Sequence, residues 1–75
     1  MNSLVLINYE FEDLRVNYNL RDIDSISYGK MKDFCSVDNI ISNGHKLNES
    51  AIQILFNDGS AATFGKEWRI EFRTF

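Results

Sequence analysis

Proline is absent from this sequence, and cysteine and histidine occur once each, as Cys35 and His45. One cysteine rules out an internal disulfide. One histidine rules out a histidine-rich zinc site, and Cys35 with His45 makes two ligands where a structural site needs four. No metal and no cofactor is therefore expected. Apolar runs are short: Leu4–Ile7 ends at Asn8, whereas a membrane helix needs about 20 such residues. A secretory signal would also need a basic start, so neither a targeting segment nor a membrane contact is expected. A lone cysteine in such a chain suggests a reducing, cytoplasmic setting. Without proline or Gly/Ser-rich tracts there is no linker, and residues 1–75 read as a single compact domain.

Basic residues are also scarce, eight against eleven acids, for a net charge of −3. The whole of that charge lies in residues 1–38. Nucleic-acid binding draws most of its affinity from a basic surface, so direct binding to nucleic acid is disfavoured and a basic protein partner is favoured. A domain of this size buries only about 60% of its unfolded surface. Ten aromatic residues supply core bulk in place of a disulfide or metal, each able to bury about 150–250 Å².

What the sequence has in abundance is period-2 alternation, the mark of half-buried strands. Val5, Ile7, Tyr9 and Phe11 share one parity, with Leu4 and Leu6 on the other, so the first strand is expected to be covered on both faces. Leu14, Val16, Tyr18 and Leu20 alternate with polar residues. Ile26 with Tyr28, then Ile52, Ile54 and Phe56, and finally Trp68, Ile70 and Phe72 mark further strands. "SAATF" is a weaker one because alanine is a poor strand former. The expected fold is mainly β, a small antiparallel sheet or open barrel of five to six short strands. It becomes α+β if the middle segment is helical. There Ser36 is a candidate N-cap and Gly44 a candidate C′ residue for one short helix near residues 36–43.

A shift of 45 residues lays 7–23 over 52–68. Ile7 then meets Ile52, Phe11 meets Phe56, Asp13 meets Asp58, and Arg21-Asp22-Ile23 meets Lys66-Glu67-Trp68. So few identities indicate two similar hairpins and not a duplication.

Asp58-Gly59 between two apolar runs reads as a two-residue type I′ turn, with φ > 0 at both positions. "NDGSAATFGK" has the glycine and lysine spacing of a phosphate loop, but Glu67 replaces the Ser/Thr and strand-like residues fill the gap. His45 follows Asn43-Gly44 and reads as an exposed loop residue. A Cys35–His45 nucleophilic pair is conceivable, but Cys35 follows Phe34 and reads as buried. No catalytic residue is expected, and the protein reads as non-enzymatic.

The residues that remain are candidates for a protein contact: Glu10, Glu12, Asp13, Asp22, Asp24, Arg69, Arg73 and Phe75. Glu10 and Glu12 share a strand face, Asp22 and Asp24 lie across the expected hairpin, and Arg15 and Arg21 could neutralise them. Trp68, Ile70 and Phe72 are expected in the core, leaving Phe75 and the arginines at a terminal edge strand open to pairing. The expectation is a small acidic protein-binding module that inhibits or escorts a larger, basic protein. Phages and mobile elements encode solitary domains of this sort as anti-defence proteins, anti-CRISPR proteins among them; such a protein would act in the host cytoplasm. The alternative is a structural subunit that pairs into a homodimer through its edge strands, and a nucleic-acid-binding barrel is a more distant one.

Overall fold

Six strands form where the apolar residues alternate. In a computed structural model describing residues 2–74, these are β1 (Asn2–Asn8), β2 (Arg15–Asn19), β3 (Ile23–Lys30), β4 (Ser50–Phe56), β5 (Ala61–Phe64) and β6 (Trp68–Thr74). They build two antiparallel sheets, ordered β2-β1-β6 and β3-β4-β5, and no closed barrel among the described residues. Two short helices, α1 (Met31–Phe34) and α2 (Val37–Ser42), join β3 to β4, so the mainly β fold includes the helical middle. No helix here is long and apolar enough to cross a membrane.

Inner-facing residues of both sheets make the main core. Leu4, Leu6 and Ile54 are fully buried at its centre, with Val16, Tyr18, Ile26, Phe56, Phe64, Trp68 and Ile70 packed around them. Tyr18, Phe56, Phe64 and Trp68 form an aromatic chain from sheet to sheet. Its ring centroids are 4.9 Å apart for Tyr18–Phe56, 6.4 Å for Tyr18–Phe64 and 5.6 Å for Phe64–Trp68. Tilted and edge-on pairs of this kind add about 0.5–1.5 kcal/mol each beyond the area they bury.

β1 is central in its sheet and buried on both faces, as its two apolar parities require. Leu4 and Leu6 take the core side. Val5 and Ile7 lie beneath the outer face, where the register sets Asn17 and Glu71 beside Val5, and Arg15 and Arg69 beside Ile7. Long polar side chains can cover such an apolar strip with their aliphatic stems.

A second, smaller core holds the helices on the back of the other sheet: Met31, Ile40 and Ala51, with Phe34 and Cys35 against them. Ser36 caps α2, its hydroxyl accepting the Asn39 N–H. The helix ends in a Schellman turn, with Gly44 N–H bonded to Ile41 C=O and His45 N–H to Ile40 C=O. Gly44 has φ +77°, the left-handed conformation this ending needs.

The order of strands is more regular than the sequence suggests. Each half contributes a hairpin to one sheet (β1-β2, β4-β5) and its third strand to the other (β3, β6). Exchanging β1 with β4, β2 with β5 and β3 with β6 turns one sheet order into the other. Hydrogen bonds follow the same exchange. Tyr9, just past β1, donates its N–H to Glu67 C=O at 2.8 Å, and Asn57, just past β4, donates to Asp22 C=O at 2.9 Å. The faint sequence echo between Arg21-Asp22-Ile23 and Lys66-Glu67-Trp68 thus marks the two places where the chain crosses between sheets.

The β4–β5 turn differs from the two-residue form expected. Phe56 C=O accepts from Gly59 N–H, and Phe56 N–H donates to Ser60 C=O. Asn57-Asp58-Gly59 is therefore a three-residue loop in which Gly59 alone has positive φ, at +90°. Asp58 keeps ordinary φ, as the middle of a three-residue loop requires, and its carboxylate accepts from the Ser60 hydroxyl and amide. Those two bonds, the hydroxyl's first, also hold its pKa below the usual value. The resemblance to a phosphate loop disappears, since β5 occupies the gap between the glycines and no helix follows.

Candidate functional site

The β1–β2 connection, residues 9–14, is the most exposed apolar segment of the structure. Asn8 ends β1 because its side-chain oxygen accepts the N–H groups of Glu10 (2.9 Å) and Phe11 (3.0 Å). The loop closes where Asn8 N–H reaches Leu14 C=O and Leu14 N–H reaches Phe11 C=O. With its own polar groups fixed at the base, the loop projects its side chains outward. Tyr9 is 64% exposed, Phe11 60% and Leu14 50%, and Glu10, Glu12 and Asp13 alternate with them, all exposed.

This arrangement corrects the expected one. Tyr9 and Phe11 do not continue the buried parity of Val5 and Ile7, since the strand has already ended. Glu10 and Glu12 share a loop and not a strand face. Asp22 and Asp24 lie at the other end of β2, beyond Asn19, and do not join the cluster. Arg15 donates to the Glu12 main-chain carbonyl instead of a carboxylate. Among the described residues, neither Arg15 nor Arg21 makes an ion pair with these acids.

Beside the loop the two sheets part, leaving an open groove of about 430 Å³ lined by Tyr9, Tyr28, Ile52, Lys66 and Trp68. Tyr28, which shares its strand parity with Ile26, is 69% exposed at its rim.

Arg69 and Arg73 lie on the outer face of β6 and converge on Glu71, with N···O distances of 3.5 and 3.2 Å. The Arg73 hydrogen bond, with the charge of Arg69, lowers the Glu71 pKa. Both arginines are thus partly occupied within the chain. Phe72, expected in the core, is 62% exposed. Phe75 lies outside the described residues.

The third cluster was not foreseen. His45 is half-buried, and its Nδ1 stands 3.2 Å from Oε1 of Glu49, whose side chain is only 7% exposed. Glu49 Oε2 accepts the Lys46 N–H at 3.0 Å. That bond, seconded by His45 and by the charge of Lys66, holds the Glu49 carboxyl below the usual range against the opposing effect of burial. Glu67 arrives from the β5–β6 crossover, and one ligand atom each from His45, Glu49 and Glu67 lie within 4.8 Å of one another. Cys35 and His45 do line one cavity of about 270 Å³, with Asn39, Asn43 and Thr63, but no hydrogen bond joins them among the described residues.

No protein-family model matches this chain, and no curated protein or solved structure matches it.

Counting cysteine and histidine alone hid the third cluster. His45 and Glu49 are four residues apart, a spacing that hints at a shared face, but Glu67 comes from a separate hairpin and no local pattern announces it. The exposure of Tyr28 and Phe72 was equally hidden, because parity fixes which way a side chain points and not whether the opposing sheet reaches it.

Proposed function

We propose that this protein acts by binding another protein, as an inhibitor or escort of a larger partner with a basic surface, through the 9–14 loop. The supporting observation is the run of three large apolar and three acidic side chains, all exposed, on a loop whose base is fixed by Asn8. Exposed aromatics that bury on contact commonly dominate binding energy, and surrounding acids favour a basic partner and speed encounter with it. Tyr28 and the adjoining groove extend the same surface. Asp22 and Asp24 lie outside it, and Arg69 and Arg73 belong to a separate face. An anti-defence role, such as blocking a CRISPR effector for a phage or mobile element, suits a small acidic module of this design.

The test is capture from a host lysate with the intact protein and two variants, Phe11→Ala and the triple reversal Glu10→Lys/Glu12→Lys/Asp13→Lys. One dominant basic protein is expected with the intact chain. Each variant, shown folded by circular dichroism, is expected to reduce capture at least about tenfold, as loss of a hot spot does. Undiminished capture by both would move the contact elsewhere.

One observation favours homodimer formation as a second reading: β6 is a seven-residue strand at the edge of its sheet, with Phe72 exposed on it. Unpaired edges of this length invite a further strand. Light scattering that finds only monomer at high concentration would dismiss it.

A further inference from the structure

We propose that His45, Glu49 and Glu67 form a binding site for one divalent transition cation of the Zn²⁺ class. Three donors from two separate segments converge, with ligand atoms all within 4.8 Å. Zn²⁺ is bound in proteins by imidazole nitrogen together with carboxylate oxygen. Three protein ligands with a water in the fourth position make a common open zinc site. Metal–ligand distances near 2.0 Å imply tetrahedral edges of about 3.3 Å, and the His45 Nδ1–Glu49 Oε1 separation is 3.2 Å. That edge is already set, and a small swing of the Glu67 side chain, whose carboxylate no hydrogen bond holds among the described residues, completes the triangle.

Electrostatics point the same way. The Glu49 side chain is only 7% exposed although the residue is partly accessible, and the carboxylate of the partly exposed Glu67 approaches it. No hydrogen-bond donor or ion pair reaches the Glu67 carboxylate among the described residues, and Lys66, although adjacent in sequence, makes no ion pair there. Two carboxylates that converge beside an imidazole repel each other, and a cation seated between them relieves that repulsion. Lys66 acts on Glu49 only from beyond ion-pair distance, and a divalent ion held by the three ligands would neutralise both carboxylates at contact distance. Glu49 is oriented independently by the Lys46 N–H, the kind of outer hydrogen bond that fixes a metal ligand. Gly65 leaves the room needed. A Cβ at this position would lie 2.6 Å from Glu67 Oε2 and 3.1 Å from His45 Cε1. The bound ion would tie the segment before β4 to the crossover into β6, a cross-link for a small domain that has no disulfide.

The experiment is a titration of the tag-free full chain with Co²⁺, read by visible absorption, followed by displacement with Zn²⁺. One equivalent with the intense bands of a four-coordinate ion is expected. Free Zn²⁺ about a hundredfold above its Kd should raise Tm by about 10 °C or more. Glu67→Gln and Gly65→Ala should each weaken uptake at least tenfold while leaving the metal-free Tm nearly unchanged. Cys35→Ser, in the neighbouring cavity, should leave uptake intact. The proposal is overturned if the intact chain takes up no metal or if Glu67→Gln binds as well as the parent. Loss of uptake in Cys35→Ser alone would overturn it too.

Discussion

Gly59 sits at φ +90° with nothing within 4 Å of where a Cβ would be. Any substitution there strains the backbone without creating a clash, so its effect isolates conformation from packing. Gly59→Val should cost about 1–3 kcal/mol, read as a lower urea midpoint. Partner capture should fall only as far as the folded fraction falls. A selective loss of capture in a fully folded Gly59→Val protein would make the turn part of the contact surface. Asp58 next to it is occupied with Ser60, so this acidic turn is committed to its own geometry. The acids at 10, 12 and 13 have no such internal duty.

At the scale of the element, Asn8 connects strand termination to the exposed loop. Asn8→Ala removes the acceptor for two amide donors, a change that costs about 1–3 kcal/mol where the donors stay shielded from water. The amides of Glu10 and Phe11 should then exchange with solvent much faster than in the parent, as measured by hydrogen exchange. Unchanged protection there would mean the loop is held by Leu14 and Glu67 alone. Capture should weaken more than stability does, because a loosened loop must be reordered on binding. The sequence made some elements plain and hid others for physical reasons. Val16, Tyr18, Trp68 and Ile70 were legible as core because polar neighbours separate them. Ser36 and Gly44 were legible as helix ends because capping is local chemistry. The inner face of β1 was not, since both parities are apolar and only the second sheet decides between them. Helix α1 was missed for a similar reason: Asp33 accepts the Lys30 N–H, but the segment's place against Gly29 is set by tertiary packing. Residues 9–11 read as strand because their alternation continues past the residue that stops it.

At the scale of the molecule, the exchanged third strands decide how the protein should unfold. Neither hairpin has a complete sheet without the strand supplied by the other half, and a two-stranded hairpin alone is barely stable in water. The aromatic chain from Tyr18 through Phe56 and Phe64 to Trp68 joins the same halves through their side chains. Losing either half removes an edge strand from one sheet, a hairpin from the other, and half of the central core. Unfolding should therefore be all-or-none. Trp68 fluorescence, which reports the junction of the two sheets, and far-UV circular dichroism, which reports all six strands, should give coincident urea transitions. The spectrum should be strand-dominated throughout the folded range. If the fluorescence signal were lost at lower urea than the strand signal, the β6 exchange would be a peripheral contact and the hairpins separately stable. Coincidence is expected because the two halves share one main core, in which Leu4 and Leu6 of the first meet Ile54 of the second.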